Sequence, residues 1–317
     1  MRVVTDPVAP VFGDERSIVT IGSYDGVHLG HQVVIDHVRR VAASRGARSV
    51  VVTFDRHPAS VVRPESAPKL LTDADQRLEL LTATGLDATI VVTFDSRQSL
   101  EEPEVFVERV LVKALAAEVV VVGSDFHFGH DRRGNVDLLT DVGERNGFVV
   151  EPVDLLARPD AVEEPVSSTA IRRALAGGDV DVAERMLGRQ FEARGVVVEG
   201  DRRGRTIGFP TANVEVPSAM CLPADGVYAG WYERPAGETR PCAINVGRRP
   251  TFYEHAEHSL LEAHLIDFDD DLYGERARVR FAHFLRSERK FDGIDSLAEQ
   301  LKRDVDHARL LLANGSE

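Results

Sequence analysis

From residue 17 to about 155, short runs of β-branched and apolar residues alternate with stretches whose apolar positions recur every three or four residues. The runs Ser17–Ile21, Ser49–Phe54, Thr89–Phe94, Val119–Gly123 and Phe148–Val153 read as strands. Several are almost continuously apolar, as expected of strands buried on both faces of a parallel sheet. Helices are predicted over about 31–45, 73–84, 102–117 and 137–146, with Val34, Val38 and Val41 at helical spacing in the first. Thr72 with Asp75 has the form of a capping box opening the second. Gly46, Gly85 and Gly147 stand where helices should stop. This alternation predicts a doubly wound α/β domain whose ligand lies beyond the carboxyl ends of its strands. Val51–Asp55 is echoed by Val91–Asp95, which at this length reads as two strands meeting similar packing demands.

Helical spacing continues over about 169–187, with Gly177-Gly178 between two short helices and Asp179 as N-cap of the second. After Gly188 the texture changes. Residues 191–285 are rich in Gly, Pro, Val, Phe and Tyr, with short runs at Arg194–Val198, Gly226–Trp231, Ala243–Val246, Leu261–Ile266 and Ala277–Phe284. Turn signals separate these runs, which predicts an antiparallel barrel or sandwich. Residues 294–313 return to helix, with Leu297, Leu301, Val305, Ala308 and Leu312 on one face. The expected fold is α/β: a doubly wound parallel sheet over 1–187, then an antiparallel β-barrel with a terminal helix over 188–317. The boundary lies near 186–190 without a low-complexity linker.

A chain of 317 residues accommodates two such domains. Its formal net charge of −14 disfavours a general nucleic-acid binder, which needs a basic face. Local pairs such as Arg132-Arg133, Arg172-Arg173, Arg202-Arg203 and Arg248-Arg249 leave room for small anionic substrates. Cys221 and Cys242 lack the close spacing of a metal knuckle or redox motif, so two free, buried thiols are expected. No apolar run reaches the ~18 residues that span a bilayer, and the start lacks a basic-then-apolar leader pattern. A cytoplasmic protein is the expectation.

The chemistry concentrates first in Ile21-Gly22-Ser23-Tyr24-Asp25-Gly26-Val27-His28-Leu29-Gly30-His31. Three glycines and two histidines there fall in a strand-to-helix turn. Such a turn aims free N–H groups and the positive end of a helix dipole at an anion. Imidazoles add donors that can be neutral or charged near neutral pH. The dinucleotide fingerprint and the P-loop are both absent. His28 and His31 could instead hold zinc, but no nearby cysteine or carboxylate pattern completes a ligand set. A nucleotide phosphate site is the reading, with a helix-start pair of exposed histidines as the plainer alternative. Further on, Ser168 and Thr169 at a helix start offer hydroxyls and N–H groups, with Arg172 about one turn later. Taken alone, these residues read better as an ordinary cap beside a solvated Arg; the turn upstream reverses that reading.

The turn resembles the HxGH signature of the α/β nucleotidylyltransferase superfamily. Three stretches narrow the likeness to bacterial FAD synthetases: Thr53-Phe54-Asp55-Arg56-His57-Pro58, Gly123-Ser124-Asp125-Phe126-His127-Phe128-Gly129, and Ser167-Ser168-Thr169-Ala170-Ile171-Arg172. The resemblance implies that His28 and His31 act on ATP phosphates, with Gly22, Gly26 and Gly30 beside them. It implies that Ser168, Thr169 and Arg172 form a second phosphate-binding arm. Phe54, His57, Pro58, Asp125, Phe126 and Phe128 would lie near flavin or nucleotide. Ser23-Tyr24, Arg56 and Pro165 depart from the family pattern.

In the second half, Gly204-Arg205-Thr206-Ile207-Gly208-Phe209-Pro210-Thr211-Ala212-Asn213 makes a constrained loop leading into an extended segment. A hydroxyl and an amide oxygen suit Mg²⁺, although a turn with local side-chain bonds would look the same. The stretch resembles the GFPTAN motif of riboflavin kinases. That likeness continues through Gly226-Val227-Tyr228-Ala229, Asn245–Phe252, Leu261–His264, Asp271–Gly274 and Leu285-Arg286-Ser287-Glu288. It implies that Thr211 and Asn213 bind Mg²⁺-ATP and that Gly204, Thr206, Gly208 and Pro210 cradle phosphate. Glu262 would be the base for the riboflavin 5′-hydroxyl, with Tyr228, Arg286 and Glu288 on the flavin side. Asp267, Asp269 and Asp271 have calcium-loop spacing, but Leu272 and Arg278 occupy positions where that loop requires Gly and Glu.

Together these stretches resemble the bifunctional bacterial riboflavin kinase/FAD synthetase family. The resemblance implies a transferase that phosphorylates riboflavin with Mg²⁺-ATP to FMN and then adenylylates FMN to FAD, releasing pyrophosphate. Partners would be riboflavin, FMN and ATP, without nucleic acid or membrane, and a homo-oligomer stays open. Two alternatives remain at this stage: a kinase whose transferase has decayed, and a flavin-binding sensor without turnover.

Overall fold

The computed structural model describes residues 1–154, 165–200, 204, 207–247 and 260–314. Two compact units are present, Met1–Ser168 and Thr169–Glu317. Thr206, Arg205, Arg202-Arg203 and the stretch 248–252 lie outside the described residues.

In the first unit, six strands form one parallel sheet. They are β1 (Arg2–Thr5), β2 (Ser17–Ile21), β3 (Arg48–Phe54), β4 (Ala88–Val92), β5 (Ala117–Gly123) and β6 (Val149–Val153). Their spatial order is β1-β4-β3-β2-β5-β6. Alternate residues of the central strands enter different cores, as the period of two requires. Val19, Ile21, Val50, Val52, Val120 and Val122 share one core with Val107, Leu111 and Leu139; Ile18, Val51, Val119 and Val121 share the other with Ile35 and Val38. Chain order runs outward from β2 to β3 and β4, then restarts at β5 on the other side of β2. The crevice at the carboxyl ends of β2 and β5 is therefore the switch point at which such sheets bind ligands.

Helix α1 (Leu29–Arg45) buries Ile35, Val38 and Ala42 and ends at Gly46, whose φ of 64° suits glycine. A single turn, α2 (Ala59–Val62), follows β3 and is too short to show a period in the sequence. Helix α3 (Ala74–Ala83) begins one residue later than the capping-box spacing suggests. Its N-cap is Asp73, whose carboxylate accepts from Gln76 N–H at 2.7 Å. Thr72 is drawn away because its hydroxyl bonds the turn after β2. The helix expected over 102–117 is a short α4 (Pro103–Phe106) that continues as a π-helix over Val107–Ala114. Helix α5 (Val136–Asn146) is capped by Asn135 and stops at Gly147. Strand β4 is shorter than its apolar run because Thr93 N–H and Phe94 N–H go to the carboxylates of Asp6 and Asp55 rather than to a neighbouring strand.

Helix α6 (Ser168–Ala176) starts at the last residue of the first unit and continues into the second, where α7 (Val180–Leu187) follows. Asp179 occupies the cap position of α7 but makes no side-chain capping bond. Strands β7 (Phe191–Val198), β8 (Ala212–Glu215), β9 (Gly226–Glu233), β10 (Thr239–Gly247), β11 (Leu260–Leu265) and β12 (Arg276–Arg286) close into a barrel in the order β10-β11-β8-β7-β12-β9. Closure leaves no open sheet edge. Tyr228, Tyr232, Phe191 and Phe281 are fully buried, and Ile244 joins them. Helix α8 (Ile294–Asn314) packs Ala308, Leu312 and Val305 on the alternate face, against Ala229, Ala243 and Trp231. Cys221 and Cys242 are buried and form no disulfide.

Phe281 meets Tyr228 edge-on at 5.4 Å and Phe191 at 6.0 Å, so it is the hub of the barrel interior. Phe281→Ala is expected to destabilise the second unit by about 3–5 kcal/mol. The fluorescence of Trp231, the chain's single tryptophan, should then show a transition at much lower urea. An unchanged midpoint would contradict this packing.

Candidate active sites

The turn from Gly22 to His28 links β2 to α1 at the switch point. Tyr24, Gly26 and Val27 all take positive φ, at 49°, 85° and 39°. For a β-branched residue that conformation costs about 1–3 kcal/mol, so the surroundings must enforce it. The enforcing group is Asp25, buried to 1% exposure. Its carboxylate accepts Leu71 N–H, Thr72 N–H and the Thr72 hydroxyl at 3.0–3.1 Å. Gly26 N–H returns to Thr72 Oγ1 at 3.0 Å, and Gly22 N–H is taken by the Val52 carbonyl. These two glycines therefore offer room rather than free amides. A methyl on Gly30 would stand 3.2 Å from the His28 ring and 3.3 Å from the Val166 carbonyl.

His28 is the N-cap of α1, its Nδ1 accepting from His31 N–H at 3.3 Å. The two rings stack at 3.6 Å and 17°, with Tyr24 tilted against His31 at 4.8 Å. Burial, with the neighbouring His28 second, holds the pKa of His31 well below the ordinary histidine value. His31 Nδ1 is buried with no hydrogen-bond partner among the described residues. His31 is thus a neutral imidazole at the helix N-terminus. Ser168 joins the turn directly, its hydroxyl donating to the Asp25 carbonyl at 2.8 Å. Thr169 is exposed and Arg172 half-buried on the first turn of α6.

Strand β3 delivers the next segment. Thr53 Oγ1 donates to the Ser23 carbonyl at 3.1 Å, and the half-buried Phe54 meets Phe94 edge-on at 5.4 Å. Arg56 pairs with its neighbour Asp55. His57 Nδ1 accepts Ala59 N–H at 3.1 Å and so closes α2 beside Pro58. After β5, Asp125 is exposed and Phe126 half-buried over Phe128, the rings stacked at 5.3 Å. Phe128 itself enters the hydrophobic core beside Phe106. Its ring is the support on which Phe126 rests.

In the barrel, register aligns Asn213 of β8 with Glu262 of β11, Glu262 with Asn245 of β10, Asn245 with Val227 of β9, and Val227 with Arg286 of β12. One row therefore crosses five strands on the face that also carries Ala229, Ala243 and α8. A cavity of about 740 Å³ opens there, lined by Thr211, Asn213, Glu262, Arg286 and Glu288, with Leu297 and Leu301 of α8 on its apolar side. A second cavity of about 700 Å³ shares Gly204, Thr211 and Asn213 with the first and is bounded by Pro210, Phe268, Asp270 and Tyr273. Asn213 Oδ1 is buried without a partner among the described residues. Burial, together with the negative charges of Asp225 and Glu262, raises the Glu288 pKa. Pro210 is exposed, and its carbonyl accepts from His264 Nδ1 at 2.7 Å. Gly208 takes φ 85° in the exposed part of this loop.

Two residues expected on the flavin side are placed here. Tyr228 is fully buried inside the barrel, its hydroxyl donating to the Ala224 carbonyl at 2.6 Å. Arg286 does line the cavity, but its guanidinium is held by Asp304 of α8 through Nε at 3.0 Å and Nη2 at 2.7 Å. It fastens the helix over the cavity. Sequence reasoning overlooked Asp25, Arg77 and Asn245 as site builders. One signal was available for Arg77: it stands four residues before the buried Leu81, on the inward face of α3.

Residues 13–170 match the FAD synthetase family model, and residues 187–312 match the riboflavin kinase family model. A bifunctional riboflavin kinase/FMN adenylyltransferase of Haemophilus influenzae is 38% identical over 291 residues, covering 92% of each chain. One from Pseudomonas fluorescens is 39% identical over 297 residues, covering 93% of each. A solved structure from Streptococcus pneumoniae, named a macrolide-efflux protein, is similar with a TM-score of 0.84 and 29% identity over 98% of this chain and 99% of that one. Among the described residues no helix is long and apolar enough to cross a membrane. With both family models matched in succession and these relatives aligned along nearly their whole length, the chain belongs to the family of bifunctional riboflavin kinase/FMN adenylyltransferases.

Proposed function

We propose that the two sites work in series: the barrel phosphorylates riboflavin to FMN, and the parallel-sheet domain adenylylates FMN to FAD. We place the functional division at 187/188. One pattern carries the reading. Each site keeps a buried polar atom without a partner among the described residues, His31 Nδ1 in one and Asn213 Oδ1 in the other. Such atoms are costly unless a ligand completes them.

In the barrel, riboflavin occupies the cavity under α8, where Leu297 and Leu301 offer apolar contact. ATP occupies the adjoining cavity, with its phosphates over Gly204 and Pro210, and Thr206 and Gly208 of the same loop bind phosphate as the family motif implies. The two cavities meet at Thr211 and Asn213, so the transferred phosphoryl group sits at their common wall. Mg²⁺ fits there, because a hydroxyl and an unpartnered amide oxygen are the hard oxygen donors that it takes alongside phosphates. When bound it neutralises phosphate charge. Glu262 accepts the proton of the 5′-hydroxyl as that oxygen attacks the γ-phosphorus and ADP leaves. Glu288 and Arg286 border the flavin side.

In the parallel-sheet domain, an FMN phosphate oxygen attacks the α-phosphorus of ATP and pyrophosphate departs. His28 and His31 donate hydrogen bonds to the phosphates on which negative charge develops, His31 as a neutral imidazole. Gly22, Gly26 and Gly30 leave the space the phosphates fill. Ser168, Thr169 and Arg172 form the second arm, while Phe54, His57, Pro58, Asp125 and Phe126 flank flavin or nucleotide. No covalent intermediate is required, so alignment and electrostatic complementarity supply the rate enhancement.

His28→Ala is expected to lower FAD formation from FMN by about 10²–10³-fold, the loss typical of one preorganised donor, while riboflavin phosphorylation is retained. Asn213→Ala should do the reverse when FMN is supplied. Loss of both reactions in both folded variants would contradict separate sites.

The depressed pKa of His31 also sets a pH dependence. The unfolded chain binds a proton near pH 6.5 that the folded site resists. Stability should therefore be fully present above about pH 6.5 and fall as pH drops below it. Thermal melts from pH 7.5 to 5.5 should show a steeper decline in the wild type than in His31→Gln. Equal slopes would contradict a buried neutral His31.

A further inference from the structure

Arg77 of α3 is 5% exposed, yet among the described residues it forms no ion pair. Its donors go to main-chain carbonyls. Nη1 donates to the Ser23 carbonyl at 3.2 Å, and Nη2 donates to the carbonyls of Phe54 and, at 3.4 Å, Asp55. Nε is buried with no acceptor. Arginine remains charged in such surroundings, and burying a cation without a carboxylate against it costs several kcal/mol, on the order of what a small domain has to spare. A purely structural position would be filled more stably by an apolar side chain. Asp25, Asp55 and Asp73 favour the charge without pairing with it.

What the guanidinium joins is specific. Ser23 belongs to the turn that ends in His28, and Phe54 and Asp55 end β3 immediately before His57 and Pro58. The Ser23 carbonyl accepts a second bond from Thr53 Oγ1 at 3.1 Å. Upstream on the same segment, Leu71 and Thr72 hold the Asp25 carboxylate and Gly26 N–H. Residues 71–77 thus grip the phosphate-binding turn at both ends of its tightest part, and Arg77 reaches from there to the flavin-side segment. A planar fork fixes both distance and angle between two backbones in a way a single donor does not.

We propose that Arg77 is a positioning residue for adenylyl transfer, setting the spacing between the turn that holds the ATP phosphates and the segment that holds FMN. The inference rests on the assignment of FMN adenylylation to this site. Misplacement of reacting groups by about 1 Å can cost 10²-fold, so the effect belongs to alignment rather than to the affinity for either substrate.

Steady-state FAD synthesis from FMN and ATP by full-length Arg77→Met should show kcat reduced by about 30–100-fold, with both KM values changed less than about threefold. Riboflavin phosphorylation by the same preparation is the internal reference and should be unchanged. Arg77→Lys retains the charge but not the fork, and should recover most of the loss, remaining about three- to tenfold below wild type. A wild-type kcat in Arg77→Met overturns the proposal, as does a loss confined to KM. If Arg77→Met does not fold, Arg77→Lys decides: a reduced kcat at unchanged melting temperature supports the proposal, and a wild-type kcat overturns it. His28→Ala run in parallel separates the two levels. An inactive His28→Ala beside a fully active Arg77→Met removes only the positioning role, whereas full activity in both removes the site assignment and the inference with it.

Discussion

The first unit depends on a buried carboxylate. Asp25 lies between glycines in a turn with three positive φ angles, and it draws the N–H groups of Leu71 and Thr72 onto itself. That single side chain converts a strained connection into a fixed one, because the turn can relax only by leaving a buried charge unsatisfied. The Ser168 hydroxyl then bonds the Asp25 carbonyl, so Ser168 is registered on the same residue. This turn also fixes the stacked histidines at the start of α1, beside the crevice between β2 and β5.

The second unit solves a different problem with register. Closure of the barrel forces alternate residues inward and outward, so the polar residues Asn213, Glu262 and Asn245 fall in one row across β8, β11 and β10. Helix α8 covers that face rather than filling it, and the Arg286–Asp304 pair fixes where the cover sits. A cavity with an apolar roof and a polar floor results, and it shares a wall with a second cavity at the residues suited to a hard cation. Each domain therefore places its reactive groups by backbone geometry rather than by a dense cage of side chains.

Much of this was legible in the residues. Continuous apolar runs identified the buried parallel strands, glycines marked three helix ends, and the turn signals after Gly188 pointed to a barrel. Strand β1 was not legible, since four largely exposed residues on a sheet edge carry no apolar period. The cap of α3 was displaced because Thr72 is claimed by a partner 46 residues away. Such long-range bonds leave no trace in local spacing. The site followed the same rule: glycines and histidines announce themselves by type, whereas Asp25 reads as an ordinary turn residue and Arg77 as a solvated helix cation. The burial of Phe128 and Tyr228 was not legible either, because an aromatic residue in a loop or strand motif does not announce which core its ring enters.

The central claim is that one chain carries riboflavin to FAD through two chemically distinct transfers. Incubation of the full-length protein with riboflavin, excess ATP and Mg²⁺, followed by quantification of flavins, ADP and pyrophosphate, tests it most directly. The account predicts transient FMN, then FAD, with one ADP and one pyrophosphate released for each FAD formed. Accumulation of FMN with ADP but no pyrophosphate, or riboflavin left unchanged, would contradict it.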